Sequence, residues 1–170
     1  MGGLPEWPRG MSVQAGLGLG SNLGDRAGQI DNALKLLCAL KGVTLKARAS
    51  LYESPPWGDV DQPPFLNTAA LIETDLSPQV LLKAVKSIEK DVGRVPSRRW
   101  GPRHIDVDIL FYADLEVDES RLTLPHRALF DRAFVLVPLA EIASKLRING
   151  RSVRDAAAAH PDTSTLRKID

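Results

Sequence analysis

Apolar and polar residues alternate along several parts of this chain, and this alternation predicts β-strands. Four such stretches cover residues 12–19, 43–52, 65–73 and 104–112. The last stretch is the most apolar, because Ile105, Val107 and residues 109–111 leave few polar positions. A strand of this composition is expected to be largely buried.

Two other stretches place apolar residues at helical spacing. Asp25 precedes the first as a helix-capping residue, and Gly42 follows it. The Ser77-Pro78 pair precedes the second and is typical of a helix start. The apolar positions are Ile30, Ala33, Leu34, Leu37 and Cys38 in the first helix and Leu81, Ala84, Val85, Ile88 and Val92 in the second.

The resulting order of elements, β-α-β-β-α-β, predicts an α+β protein with a ferredoxin-like core. In that fold the sheet is antiparallel and both helices lie on one face. A strand pair around 115–117 and 121–124, a helix over 131–143 and a final helix over 152–159 are predicted to follow. We expect residues 12–170 to form a single domain and residues 1–11 to be a disordered extension.

Composition narrows the class of protein. The 170 residues are 44% hydrophobic and 25% charged, which are ordinary values for one globular domain. The net charge of +1 argues against nucleic-acid or membrane partners, and no apolar stretch approaches a membrane span. The single cysteine, Cys38, is predicted to be an inert core thiol, so a cytoplasmic location is expected.

Asp106 and Asp108 are the strongest candidates for chemistry. Residues two apart on a strand point to the same face, so both carboxylates should converge there. Two such acids repel each other and resist loss of water unless a cation lies between them. One or two divalent metal ions, typically Mg²⁺, held by these carboxylates and by substrate phosphates would meet that requirement.

An arginine-rich segment precedes the acidic pair and contains Arg94, Arg98, Arg99 and Arg103. Guanidinium groups match the geometry of phosphate oxygens, so these residues predict a polyphosphate ligand. Glycines at 93 and 101 permit hinge motion, and residues 93–103 are therefore predicted to be a lid that is mobile without ligand. The alternative is an edge strand whose acids face water and whose arginines only solvate a loop.

The glycines at 16–20 do not form a known phosphate-binding motif. The sequence GLGLGS at 16–21 lacks the spacing of a dinucleotide-binding loop, and no P-loop sequence occurs. The turn at 20–22 therefore has two interpretations, a backbone brought close to a ligand or a simple strand-to-helix turn.

Aromatic residues and one asparagine indicate a flat heterocyclic ligand. Aromatics are few, at 5% of residues, yet Trp57, Phe65, Trp100 and Phe134 lie in or beside loops that flank the acidic strand. Such rings stack on flat ligands, although ordinary packing explains any single one equally well. Asn67 lies two residues after Phe65, and its amide offers both a donor and an acceptor to a ring edge.

These motifs occur in the order found in the 6-hydroxymethyl-7,8-dihydropterin pyrophosphokinase family, which the chain resembles over residues 13–148. The matching sequences are GLGSNLGDR at 18–26, SPPWG at 54–58, DQPPFLN at 61–67, GRV at 93–95, RWGPRHIDVDIL at 99–110, LTLPH at 122–126 and RAFVLVPL at 132–139. The combination of RWGPR with a following Asp-x-Asp is very specific.

The resemblance implies transfer of the β,γ-diphosphate of ATP to the hydroxymethyl oxygen of the pterin, with release of AMP, in folate biosynthesis. It implies that Asp106 and Asp108 hold two Mg²⁺ ions and that Arg94 and Arg103 bind phosphate as catalytic residues. The implied ATP-binding residues are Lys86, Glu89, Arg94, Arg98, Arg99, Trp100, Arg103, Ile109, Thr123, His126 and Arg132. The implied pterin-binding residues are Ser54, Pro55, Trp57, Phe65, Asn67, Trp100 and Phe134. Because some family members are fused to neighbouring folate-pathway enzymes, contact with such enzymes is a further expectation.

Some positions leave alternatives open. Pro96 stands where many family members have a second arginine, so Arg98 or Arg99 is expected to substitute for it. Arg127 stands where many members have proline or tyrosine. Lys86 and Glu89 are also consistent with a solvated ion pair on a helix surface.

Two other functions compete with this assignment. Nucleotidyl transferases also combine a Gly-Ser turn with Asp-x-Asp, but there the two elements lie close in sequence, whereas Ser21 and Asp106 are far apart. A ligand-sensing module on the same fold would need neither the acidic pair nor the arginine cluster.

Overall fold

The centre of the protein is an antiparallel sheet, onto which helices pack from both sides. The computed structural model describes residues 11–56, 61–93 and 104–169. In chain order the elements are β1 (Val13–Ser21), α1 (Arg26–Cys38), β2 (Val43–Arg48), β3 (Tyr52–Ser54), β4 (Phe65–Thr74), α2 (Pro78–Val92), β5 (Asp106–Tyr112), β6 (Val117–Asp118), β7 (Thr123–Leu124), α3 (Ala133–Ile142), β8 (Arg147–Ile148), β9 (Arg151–Ser152), α4 (Val153–Ala159) and β10 (Arg167–Lys168).

The main sheet has the strand order β10-β3-β4-β1-β5, and β2 also pairs with β4. β3 pairs with the first residues of β4 and β2 with its last ones, so both lie on the edge of β4 away from β1. This β-α-β-β-α-β arrangement confirms the predicted ferredoxin-like α+β core.

The predicted single strand over 43–52 is wrong, because the structure contains two strands there. Between β2 and β3, the Ser50 N–H and hydroxyl donate to the Glu141 carboxylate on α3, at 3.1 and 2.8 Å. A register shift between Leu45 and Ala47 also interrupts the pairing of β2 with β4. The interruption of the strand involves Glu141, which lies far along the chain, so the alternation of residues 43–52 cannot reveal it.

Both predicted helix starts are confirmed. The Asp25 carboxylate accepts the N–H of Gly28 at 3.1 Å, and the Ser77 hydroxyl accepts the N–H of Val80 at 3.3 Å. α2 ends at Val92 and is capped by Gly93, whose φ of 104° lies in the left-handed region that favours glycine.

The sheet separates two apolar cores. α1 and α2 cover one face, where they pack on Leu17, Leu19, Val107 and Ile109. α3 and α4 cover the other face, where Leu110 belongs to the second core. Because strand residues alternate between faces, Asp106 and Asp108 lie on the same side of β5 as α3.

Cys38 is exposed, so the prediction of an inert core thiol is wrong. The buried residue of the last turn of α1 is Leu37. Successive helical residues are rotated by about 100°, and this rotation turns Cys38 away from the sheet.

The C-terminal region is partly as predicted. The strand pair β6–β7 and the helices α3 and α4 are present, with shorter bounds than expected. The β8–β9 hairpin and β10 were not predicted, because strands of two residues are too short to show alternation. The Asn149-Gly150 pair, with φ of 51° and 78°, is nevertheless a known hairpin signal that the sequence carried.

None of the helices in the described ranges is long and apolar enough to cross a membrane.

The packing of β1 against β5 can be tested at two matched glycines. A Cβ at Gly16 would lie 2.3 Å from Cε1 of Phe111, whereas a Cβ at Gly18 would lie 3.3 Å from Cδ2 of Leu110. We expect Gly16→Ala to lower the free energy of unfolding by about 1–3 kcal/mol, because the Phe111 ring must move within a packed core. Gly18→Ala should cost less, and urea unfolding of both variants measures the difference. Equal losses would contradict the close contact between Gly16 and Phe111.

Candidate active site

A strand face without side chains lies at the centre of the candidate site. Gly18 and Gly20 are two residues apart on β1 and therefore share one face. Gly20 is paired with Asn67 on β4 and with Asp106 on β5, and Gly18 is paired with Asp108. Opposed residues of antiparallel strands share a face, so glycine backbone forms a floor between Asn67 and the two acids. We refer to this floor and its two walls as the trough.

Asp106 and Asp108 both lie on the trough side of β5, as predicted. Val107 and Ile109 are buried on the opposite face, whereas 40% of the Asp108 side chain is exposed. In the part of the chain that the structure describes, β5 is the last strand on one side of the main sheet. The alternative interpretation, an edge strand whose acids face water, is therefore correct about the edge position. The acids nevertheless do not simply face water, because cationic side chains lie beside them.

His126 and Arg132 approach the acidic pair from the segment before α3. Nε2 of His126 lies 4.0 Å from Oδ2 of Asp108. Burial lowers the pKa of His126, and the attraction of Asp108 opposes this only in part, so the neutral imidazole is favoured at pH 7. Burial also lowers the pKa of Arg132, against the attraction of Asp108 and Asp106. The Arg132 guanidinium still stays charged, because arginine does not deprotonate in proteins.

A cleft of about 260 Å³ opens beside Asp108. Four residues implied to bind ATP line it: Lys86, Ile109, Thr123 and His126. Arg121 and Arg127 also line the cleft. Arg121 was not among the site residues predicted from the sequence. The only sequence feature that pointed to it was its position two residues before Thr123, in a predicted strand pair. Lys86, Arg121 and Arg127 bring three basic side chains to one cleft, which favours an anionic ligand.

Glu89 lies behind this cleft. Its side chain is 3% exposed, and its carboxylate accepts the Lys86 ammonium at 3.2 Å and the N–H of Val107 at 2.8 Å. The alternative of a solvated Lys86–Glu89 pair is therefore wrong for Glu89. This buried carboxylate ties α2 to β5 and orients Lys86 toward the cleft.

Asn67 forms the wall of the trough opposite the acids. Its Nδ2 donates to the carbonyl oxygen of Tyr52 at 3.1 Å and to the hydroxyl of Ser54 at 2.8 Å. Both amide hydrogens are therefore engaged by β3, and only Oδ1 is left to accept a hydrogen bond from a ligand. The prediction that this amide offers a donor as well as an acceptor is wrong for the donor.

Two half-buried phenylalanines flank the trough. Phe65 begins β4, and its Cδ1 lies 3.6 Å from the place that a Cβ of Gly20 would occupy. Phe134 lies in the first turn of α3, and Cζ of Arg132 is 5.7 Å from the centre of its ring. Pro55, which follows β3, is exposed. The structure therefore brings Phe65, Asn67 and Ser54 together and places Phe134 beside Arg132.

A hydrogen-bonded carboxylate holds α3 against β3. Glu141 accepts the hydroxyl of Tyr52 at 2.5 Å and the hydroxyl of Ser50 at 2.8 Å. Burial raises the pKa of Glu141, but these hydrogen bonds outweigh it and leave the pKa below its ordinary value. Because α3 carries Phe134 and the carbonyl of Tyr52 binds Asn67, this contact connects the helix of Phe134 to the strand that supports Asn67.

The remaining predicted site residues lie outside the described part of the chain. They are Trp57, Arg94, Arg98, Arg99, Trp100 and Arg103, together with the predicted lid after Gly93. Among residues 11–56, 61–93 and 104–169, no three His, Cys, Asp or Glu side chains are grouped as a metal site. Asp106 and Asp108 stay the candidate metal ligands that the sequence predicted.

Most of the chain matches a known protein family. Residues 16–144 match the model of 7,8-dihydro-6-hydroxymethylpterin-pyrophosphokinase (HPPK). A protein of Methylorubrum extorquens named 2-amino-4-hydroxy-6-hydroxymethyldihydropteridine pyrophosphokinase is 53% identical over 158 residues, which are 93% of this chain and 99% of that protein. A protein of the same name from Haemophilus influenzae is 46% identical over 134 residues, which are 79% of this chain and 84% of that protein.

Solved structures agree on the fold. A crystal structure of wild-type Plasmodium falciparum HPPK-DHPS with pterin and p-hydroxybenzoate matches 95% of this chain with a TM-score of 0.71 and 15% identity. This chain spans 46% of the length of that crystallised chain. At this level of identity the similarity supports the fold alone.

The contact between Glu141 and β3 predicts a pH-dependent stability. A carboxylate whose pKa is lowered by folding stabilises the protein above its unfolded pKa and loses this effect as the pH falls through the folded pKa. Glu141→Gln should therefore be least stable, relative to the unchanged protein, at neutral pH. The difference should shrink as the pH falls below the ordinary value of 4.5.

Urea unfolding across this pH range measures the effect, and Glu116→Gln, an exposed carboxylate on the turn after β5, is the control. A constant difference between Glu141→Gln and the unchanged protein at every pH would show that the carboxylate charge does not stabilise the contact.

Proposed function

The chain belongs to the 7,8-dihydro-6-hydroxymethylpterin-pyrophosphokinase family, and we propose that the trough and the adjoining cleft are its active site. The enzyme transfers the β,γ-diphosphate of ATP to the hydroxymethyl group of 6-hydroxymethyl-7,8-dihydropterin. The products are AMP and the pterin diphosphate, in folate biosynthesis. ATP and the pterin are therefore its substrates.

One observation supports this placement most directly. The acidic pair on β5 lies between a cationic cleft on one side and a wall with one free amide acceptor on the other. A reaction that joins a polyphosphate to a hydrogen-bonding heterocycle needs both environments next to each other. The trough and the cleft meet at Asp108.

The acidic pair fits Mg²⁺ as a cofactor. Mg²⁺ prefers oxygen ligands and is typically held by one or two carboxylates plus substrate phosphates, rather than by a complete protein cage. Asp106 and Asp108 supply two carboxylates on one strand face, and Asp108 is open to solvent over 40% of its side chain. Two bound Mg²⁺ ions would neutralise phosphate charge and align the acceptor and leaving oxygens.

The cations around the cleft would bind the nucleotide. The Lys86 ammonium donates to Glu89, and the partly buried guanidinium of Arg132 is attracted by both acids. In the reaction the hydroxymethyl oxygen attacks the β-phosphorus, the bond from that phosphorus to the α-phosphate oxygen breaks, and the hydroxyl proton is lost. Positive charge fixed before the reaction stabilises the negative charge that moves onto the leaving AMP.

The opposite wall would bind the pterin. Phe65 and Phe134 would stack on the ring, and Oδ1 of Asn67 would accept a hydrogen bond from its edge; the contact of Phe65 with the Gly20 floor and the engaged Nδ2 of Asn67 support this. Ser54 already binds Asn67 through its hydroxyl, so we expect Ser54 and Pro55 to contact the ring through backbone atoms. Trp57 and Trp100 are proposed to complete the pterin site on the evidence of the sequence motifs.

The arginine-rich segment is proposed to complete the phosphate site. Arg94 and Arg103, with Arg98 or Arg99, would bind the polyphosphate and would exclude water, so that the diphosphate is transferred and not hydrolysed. Contact with a neighbouring folate enzyme is a separate proposal. It is supported by a relative from Pisum sativum, named folate synthesis bifunctional protein, that is 47% identical over 126 residues, which are 24% of that protein.

Product analysis tests the reaction. We expect the protein, incubated with MgATP and 6-hydroxymethyl-7,8-dihydropterin, to form AMP and pterin diphosphate in equal amounts, and to form no AMP without the pterin. Addition of excess EDTA should abolish the product, because the acidic pair then lacks its metal. Formation of ADP would instead mean transfer of one phosphoryl group and would refute the proposed geometry. Binding of both ligands without any product would favour a sensing module.

The metal assignment predicts the effect of one substitution. Asp108→Asn should lower kcat by a factor on the order of 10³ or more, because one carboxylate no longer holds the metal against the phosphates. The free energy of unfolding should change little, because the loss of repulsion from Asp106 and the loss of attraction to Arg132 oppose each other. Asp114→Asn, an exposed aspartate just after β5, is the control and should keep full activity. Near-normal turnover of Asp108→Asn would exclude its role in metal binding.

A further inference from the structure

The side chain of Gln29 bridges the end of β1 and the start of β5. Its Nε2 donates to the hydroxyl of Ser21 at 3.1 Å and to the carbonyl oxygen of Leu23 at 2.5 Å. Its Oε1 lies 2.9 Å from Nδ1 of His104, which must therefore donate, since both amide hydrogens are already engaged. Every polar group of the Gln29 side chain thus has a partner.

The bridge lies just beyond the last backbone pair between the two strands. β1 and β5 are paired up to Gly20 and Asp106, and past this point the chain of β1 enters the turn before α1. His104 stands two residues before Asp106 and has no place in the strand ladder. Gln29 therefore holds the chain next to Asp106 at the point where strand pairing no longer does.

Asp106 needs such support more than an ordinary strand residue. It is the first residue of β5, and strand ends open more readily than strand centres. Repulsion from Asp108, on the same face, also pushes it away from the trough. A misplacement of about 1 Å is enough to cost a large factor in rate when reacting groups must be aligned.

The same turn supports the opposite wall through a different side chain. Asn22 is 2% exposed, and its Nδ2 donates to Oε1 of Gln62 and to the carbonyl oxygen of Pro63, both at 2.9 Å. These residues lead directly into Phe65, where β4 begins. The turn after β1 therefore holds the two walls by two separate sets of hydrogen bonds.

We propose that Gln29 is a positioning residue for Asp106, acting through His104, and that Asn22 is its counterpart for the wall formed by β4. This inference rests on the proposed function of the trough. The turn at 20–22 was interpreted from the sequence either as backbone close to a ligand or as a simple strand-to-helix turn. The proposal gives it a third role, the support of both walls through the side chains of Asn22 and Gln29.

Kinetics of two variants separate this role from simple stabilisation. Gln29→Met keeps the shape of the side chain and removes all three hydrogen bonds. We expect it to lower kcat by about tenfold or more and to raise the Mg²⁺ concentration required, with the KM for the pterin changed by less than about twofold. Asn22→Ala should show the reverse, a KM for the pterin raised by about tenfold with a smaller change in kcat.

A double-mutant cycle tests the path through His104. His104→Ala should reproduce most of the loss in kcat of Gln29→Met, and the double variant should lose no more than Gln29→Met alone, because the hydrogen bond between Gln29 and His104 is absent in both single variants. Asn32→Ala, an exposed amide on the same helix, is the control and should keep full activity. If Gln29→Met does not fold, His104→Ala tests the same connection from the other side.

Hydrogen exchange of the free protein gives a readout that needs no turnover. The amides of residues 105–107 should exchange faster in Gln29→Met, whereas the amides of residues 65–67 should exchange faster in Asn22→Ala. Variants that change kcat and KM alike, in proportion to lost stability, would overturn the proposal. An unchanged protein that forms no AMP would refute the proposed function instead, and the exchange pattern would then decide whether Gln29 holds the start of β5.

Discussion

The absence of side chains on one face of β1 is the constraint on which the rest of the site depends. Gly18 and Gly20 carry no side chain on the sheet face that α3 and α4 otherwise cover, and the Leu110 side chain lies 3.3 Å from the place that a Cβ of Gly18 would occupy. At Gly16 the same face is closed, because the ring of Phe111 occupies the space where a Cβ would be. The floor is therefore closed at Gly16, and the acids and Asn67 stand on opposite sides of the glycines that follow it.

Charge balance around the acidic pair is supplied by elements that are distant in sequence. Lys86 comes from α2 and Arg132 from the segment that leads into α3; the same segment brings the neutral imidazole of His126 to Asp108. Burial lowers the pKa of both His126 and Arg132. It therefore favours a neutral His126, and it leaves Arg132 as a poorly solvated charge that attracts anions strongly. The fold itself therefore brings these cationic side chains beside the acidic pair.

The supports behind the site are as specific as the site itself. Glu89 holds the backbone of β5 at Val107, and Glu141 holds α3 against β3. Each is a carboxylate that accepts more than one hydrogen bond, which makes it a rigid connection between elements. The two walls of the trough are therefore fixed to different helices, and the turn after β1 is the place where both walls are tied to the same strand.

Alternation and capping signals in the sequence determined the order of the main elements and the common face of Asp106 and Asp108. These features follow from short-range periodicity, which any chain of this pattern must obey. The tertiary structure alone decided which way Cys38 turned, where the strand over 43–52 was interrupted, and which hydrogens of Asn67 were already engaged. It also decided that Glu89 is buried and that Gln29 meets His104, because such contacts join residues far apart in sequence and depend on how the helices pack against the sheet.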